Sequence, residues 1–192
     1  MTRFLSIGLL CLLSAFVSAP VPSWSVKSLS ITFRTKNAGI PVTGTLSDMH
    51  ASLRFDPNRP TESTLTASVG ASTINTGFSL RDYQLRGRNY LYAEKYPRVL
   101  MQSKQIRAVG KNNYVGLFYL TLRGVTKEVE VPFSFSQQGS MVTFKGNFSI
   151  NRRDFGVGGS SLILDDKVTI GVEVTASDSS KESGPPSTLP KT

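Results

Sequence analysis

Glu128-Val129-Glu130-Val131-Pro132-Phe133-Ser134-Phe135 places its apolar side chains on odd positions, with Glu128, Glu130, Pro132 and Ser134 between them. A period of two sends alternate side chains to opposite faces of an extended strand, one dry and one wet. The same alternation recurs on both sides of this stretch. Val142, Phe144, Phe148 and Ile150 alternate with Thr143, Lys145, Asn147 and Ser149, and Val168, Ile170, Val172 and Val174 with Thr169, Gly171 and Glu173. Upstream, Leu65, Ala67 and Val69 face away from Thr64, Thr66 and Ser68. Repeated along the chain, this pattern makes the fold class all-β.

Turn residues divide the pattern into eight expected strands, near 24–35, 41–55, 62–71, 98–109, 113–123, 126–136, 141–152 and 167–178. Lys36-Asn37-Ala38-Gly39, Asp56-Pro57-Asn58-Arg59-Pro60, Arg123-Gly124 and Gln137-Gln138-Gly139-Ser140 supply hairpin chemistry. The second strand changes phase, from Val42, Gly44 and Leu46 to Met49, Ala51, Leu53 and Phe55, which a bulge at Ser47-Asp48 would produce. Residues 76–97 break the rhythm: Ser79 and Asp82 have capping-box spacing, and Gly87 and Pro97 hold any helix to a turn or two. Residues 153–166 are rich in glycine and read as a mobile loop. Eight antiparallel strands with so little helix fit a sandwich or a barrel. The barrel removes every edge and leaves an interior just wide enough for side chains or one small ligand.

At the N-terminus, Arg3, an apolar run over 4–13 and Val17-Ser18-Ala19 read as a signal peptide over 1–19, which implies export to the periplasm or beyond. Cys11 is the chain's one cysteine and lies inside that leader, so the barrel expected over 20–178 holds together without disulfides. Residues 179–192 lack apolar content and read as a disordered tail. The net charge of +9 is spread over many segments and forms no stripe of the kind that tracks a phosphate backbone, so no nucleic-acid partner is expected.

Several segments resemble the YceI-like family of exported, lipocalin-like proteins. They are Trp24-Ser25-Val26 with Ser30-Ile31-Thr32-Phe33, Arg81-Asp82-Tyr83-Gln84-Leu85, Ala93-Glu94-Lys95-Tyr96-Pro97, Leu120-Thr121-Leu122-Arg123-Gly124-Val125-Thr126-Lys127, and Asn151-Arg152-Arg153-Asp154-Phe155-Gly156-Val157. The resemblance covers nearly all of 24–176, in order. It implies an elongated eight-stranded antiparallel barrel with a short helical insertion that binds long amphiphiles, polyisoprenoids in particular, and it admits a homodimer. One departure is Phe118, where the family tends to carry glycine; a ring there either points outward or narrows the interior.

The residues offer little for catalysis. With no cysteine after the leader and a single histidine, His50, on the polar phase of its strand, neither a nucleophile with its base nor a zinc cluster is expected. Asp165-Asp166 reads as a turn, and no cofactor or metal is expected. The apolar phase points instead to a ligand held by burial. Phe33, Phe55, Met101, Leu120, Leu122, Phe133, Phe135, Phe144, Phe148 and Ile170 are its candidate lining, with Leu80, Arg81 and Tyr83 at the mouth. A basic insertion (Arg81, Arg86, Arg88, Lys95, Arg98) suits an anionic headgroup or peripheral contact with a membrane. Two other readings stay open on the sequence alone: an envelope interaction or adhesion module that uses the barrel as scaffold, and an enzyme acting on a bound lipid.

Overall fold

The computed structural model describes residues 19–179. The leader expected over 1–19, apart from Ala19, and the tail from residue 180 onward lie outside them. The strands are β1 (Ser23–Asn37), β2 (Ile40–Leu46), β3 (His50–Arg54), β4 (Thr64–Gly70), β5 (Arg98–Gly110), β6 (Asn113–Leu122), β7 (Val125–Gln138), β8 (Met141–Asn151) and β9 (Lys167–Asp178). All neighbours are antiparallel. Pairing of β1 with β9, Trp24 opposite Asp178 through Arg34 opposite Thr169, closes the sheet into a barrel.

The nine segments fill eight positions, because β2 and β3 are one strand broken in two. β2 pairs with the second half of β1, Ile31 opposite Leu46, and β3 with its start, Trp24 opposite Leu53. The phase change expected as a bulge at Ser47-Asp48 is thus a full break. Asp48 sits there at φ 52, a left-handed conformation that Asp tolerates. Thr73 secures the break: its Oγ1 accepts from Ser47 N at 2.8 Å and donates to Ser47 O at 3.0 Å.

Two further irregularities coincide with changes of parity in the apolar pattern. The β1–β9 register slips between Val26 and Ser28, and the β5–β6 register between Ser103 and Gln105. Each slip turns the strand over. Trp24 on one side and Leu29 and Ile31 on the other all reach the interior, as do Met101 before the second slip and Ile106 after it.

One end of the barrel is filled with rings. Phe55 is fully buried, with the ring centroids of Tyr114, Phe133, Phe135 and Phe144 at 5.0, 5.9, 5.0 and 5.3 Å. Trp24 closes the cluster by donating its indole N–H to Phe55 O at 2.9 Å. Edge-to-face packing of this kind adds to the burial of each ring.

The other end carries a lid made of residues 71–97 and the 152–166 connection. The insertion contains one helix, α1 (Ser79–Arg86). Its N-cap is Phe78, not Ser79, so the expected capping box does not form. Asp82 instead turns back to accept from Thr76 N at 2.9 Å and Thr76 Oγ1 at 2.6 Å. Arg81 donates to the same threonine, through Nε to Oγ1 at 2.8 Å and Nη2 to the carbonyl at 3.1 Å, so both charged residues hold α1 to the segment before it.

Candidate functional site

Beneath the lid lies an apolar chamber of about 200 Å³. β1 contributes Ile31 and Phe33, β5 Val99 and Met101, β6 Leu120 and Leu122, β8 Phe148 and Ile150, and β9 Val168 and Ile170. Each of these is on the dry phase of its strand, and alternation named Phe33, Met101, Leu120, Leu122, Phe148 and Ile170 among them. The roof comes from the lid: Ile74, Leu85 and Leu91 from the insertion, Val157 and Leu164 from the later connection. A second, smaller void of about 90 Å³ lies deeper, against the aromatic end. Ala67, Met101, Phe148 and Val172 line both and mark where the two meet.

The walls are almost wholly apolar, and two of their polar members are already engaged. Thr35 Oγ1 donates to Lys167 O at 3.2 Å. Arg152, 2% exposed, gives Nε to Asp165 O at 3.1 Å and Nη1 to Val157 O at 2.7 Å and Gly159 O at 2.8 Å. Its Nη2 reaches Leu164 O at 3.0 Å and the Asp166 carboxylate at 2.8 Å. A buried guanidinium so surrounded serves the protein: it ties the backbone of the 153–166 segment, expected to be a mobile loop, over the chamber. Tyr90 completes the polar set on the wall. Such a chamber offers a ligand burial and shape, with little provision for a charged group inside.

The lid is joined to the barrel through the β6–β7 turn. Arg123 and Gly124 are both left-handed, φ 52 and 75, as a two-residue hairpin of this twist requires. From that position the Arg123 guanidinium donates to Arg88 O at 2.7 Å and to Gly156 O, so one side chain spans both halves of the lid. Gly158 N donates to Asn89 O at 2.7 Å and joins the halves directly.

The candidate lining residues fall into three groups. Phe33, Met101, Leu120, Leu122, Phe148 and Ile170 come together around the larger chamber. Phe133 and Phe144 line the smaller void. Phe55 and Phe135 sit in the filled aromatic end and line neither. The mouth residues are placed otherwise than expected. Leu80 and Tyr83 are 58% and 75% exposed on the outer side of α1, and Arg81 is folded onto Thr76. The face of α1 turned to the barrel is that of Asp82 and Leu85, three residues apart as one helical stripe requires. Sequence reading left Leu85, Ile74, Val157 and Arg152 out of the lining; the Asp82–Leu85 spacing was the one available signal. Phe118 points inward, is buried, and lines the smaller void. His50 is exposed, with Nε2 3.5 Å from Asp48 Oδ1. Among the described residues no three metal-binding side chains cluster.

Comparison with known proteins follows the same lines. The description of the YceI-like domain matches residues 24–176. A relative called UPF0312 protein, from Yersinia pestis (strain Pestoides F), is 28% identical over 134 residues, 66% of this chain and 69% of the relative. Among solved structures, BcnA of Burkholderia cenocepacia superposes with a TM-score of 0.75 at 25% identity, covering 78% of this chain and 96% of BcnA. A domain of Saccharophagus degradans, described as polyisoprenoid binding and implicated in plant cell wall breakdown, superposes with a TM-score of 0.65 at 12% identity, covering 83% and 99%. At that identity the likeness is one of fold.

Proposed function

The chain belongs to the YceI-like family, and from that premise we propose that it is a carrier that holds the apolar chain of an amphiphile, an isoprenoid first of all, inside its barrel. The observation that carries this reading is the roofed, almost wholly apolar chamber whose guanidinium, Arg152, is already bonded to the protein. A chain that buries roughly 200 Å² of apolar surface there gains about 5 kcal/mol before ordering costs. The description of the Saccharophagus degradans domain as polyisoprenoid binding supports the choice of ligand class. Burial without a titratable pair aimed at the ligand supports binding over catalysis.

Uptake runs through the lid, and the lid's outer surface suits an anionic bilayer. Leu162 is fully exposed, and Ile40 and Ile163 are exposed beside it, joined by the Ala38 N to Ile163 O bond of 2.6 Å. Phe78 and Leu80 stand out from α1, and Arg86, Arg88 and Lys36 are exposed on the same lid and hairpin. Apolar tips among cations bind interfaces by insertion and by attraction to acidic headgroups. On the same reading the protein works outside the cytoplasmic membrane, led there by residues 1–19; cell fractionation tests this.

The deciding experiment is native mass spectrometry of the protein purified from its own cells, with solvent extraction of whatever is released. A stoichiometric adduct that extracts as an isoprenoid is expected. A clean apo mass that stays unchanged after incubation with quinones, prenyl phosphates and fatty acids would sink the carrier reading.

A further inference from the structure

The interior is divided, and its division sets a length. The roofed chamber holds about 200 Å³ and the void behind it about 90 Å³, whereas pockets that enclose a drug-sized ligand run from about 300 to 1,000 Å³. The aromatic cluster around Phe55 blocks any further passage along the axis. Two side chains govern how far a chain can reach before that cluster. Met101 stands where the two voids meet and is unbranched, so it can swing aside as the tip of a chain arrives. Phe118 lines the smaller void and takes up space that a smaller residue would leave open. Its ring lies over Gly116, where a Cβ would stand 2.2 Å from Cε2, so the backbone beneath it is shaped to keep the ring inside the barrel.

We propose that Met101 and Phe118 act as a ruler: they confine the bound chain to a few prenyl units, with the tip against Phe118 and any bulky or charged headgroup left at the lid. The proposal rests on the carrier reading above and adds a chain-length class to it. The polar commitments of the roofed chamber point the same way. Arg152 has its donors on carbonyls and Asp166, so an anionic head drawn inward meets no free partner there.

The test is a titration of the wild type and two variants with geraniol, farnesol and geranylgeraniol. Phe118→Ala lengthens the space; Ala67→Leu, where the two voids meet, shortens it. For the wild type, affinity is expected to rise from geraniol to farnesol and to fall about tenfold or more at geranylgeraniol. Phe118→Ala is expected to abolish that fall. Ala67→Leu is expected to lose about tenfold on farnesol while holding geraniol. A wild type that binds all three alike, or variants that shift affinity without shifting the preferred length, would overturn the ruler alone. Failure of all three proteins to bind any of the alcohols would overturn the ruler together with the carrier reading. Because the two variants change volume in opposite directions, loss of folding in one leaves the other to decide.

Discussion

Gly116 and Phe118 show how much a single residue can carry in this interior. They lie two apart on one strand, on the same face, and the ring occupies the space that a side chain at 116 would need. Gly116→Ala is therefore expected to cost about 1–3 kcal/mol by overpacking. In a Phe118→Ala background the same methyl finds room, and its cost should fall to under about 1 kcal/mol; urea denaturation of the four proteins measures the coupling. Equal costs in the two backgrounds would mean that the ring is not the obstacle. Tyr114, packed edge-on against Phe55, gives a second test at this scale. Burial, with the Asp56 carboxylate second, pushes its phenol above the usual value of about 10. The unfolded phenol therefore ionises first. The contribution of this group is whole below about pH 10 and is lost as the pH climbs through the raised folded value. Tyr114→Phe is expected to flatten the fall in urea midpoint between about pH 9 and pH 11. A slope as steep as that of the wild type would place the alkaline loss elsewhere. On the sequence alone the direction of the Phe118 ring stayed open, although it shares its parity with Leu120 and Leu122. What parity does not encode is whether the interior at a given height is hollow or filled, and so Phe55 and Phe135 read no differently from Phe148 or Ile170.

At the scale of elements, the strands were readable because each has one wet face and packs the other. The exceptions are places where the backbone departs from the pleat. The slips beside Val26 and Ser103 restore an apolar residue to the interior on either side, so the sequence shows no gap in hydrophobicity. The lid was the least legible part because what orders it is tertiary. Asp82 looks like a capping residue for its own helix and is in fact the acceptor for Thr76, six residues back. Arg152, at the end of an expected strand, gave no sign on the sequence that it is the hub of the connection that follows. Arg152→Gln should therefore cost about 2–3 kcal/mol, since several buried carbonyls lose their donor. The loss should be uneven: amide exchange is expected to quicken across 152–166 and in the facing insertion, while the ladder of β6, β7 and β8 stays protected. Uniform acceleration over the whole barrel would show that Arg152 supports the global fold and not the roof alone.

At the scale of the whole molecule, the two ends have different tasks. The aromatic end supplies a rigid base, with Phe55 and its neighbouring rings packed as a core. The lid end is held by a small apolar cluster, Ala71, Ile74, Leu91 and Ala93, and by polar bonds that cross between segments: Arg123 to Arg88 and Gly156, Asn89 to Gly158, Asp82 to Thr76. Such bonds exchange with water at lower cost than the larger aromatic core does, so the lid is expected to open before the aromatic end. This asymmetry predicts how loading registers. A ligand that binds only the folded barrel stabilises it by about 2.7 kcal/mol when its free concentration is roughly 100 times Kd. For a domain of this size that is a rise in Tm of about 5–11 °C. The gain should come with slowed amide exchange at 71–97 and 152–166, because on the carrier reading those segments part before the ligand leaves, and with little change around the buried Phe55 and Phe133, where exchange is expected only through global unfolding. Differential scanning calorimetry and hydrogen exchange of the farnesol-loaded and empty protein measure both. A rise in Tm with protection spread evenly over all strands would mean that the ligand lies elsewhere than beneath the lid. No rise in Tm would mean that the ligand does not distinguish the folded barrel from the unfolded chain, which the burial of its chain beneath the lid forbids.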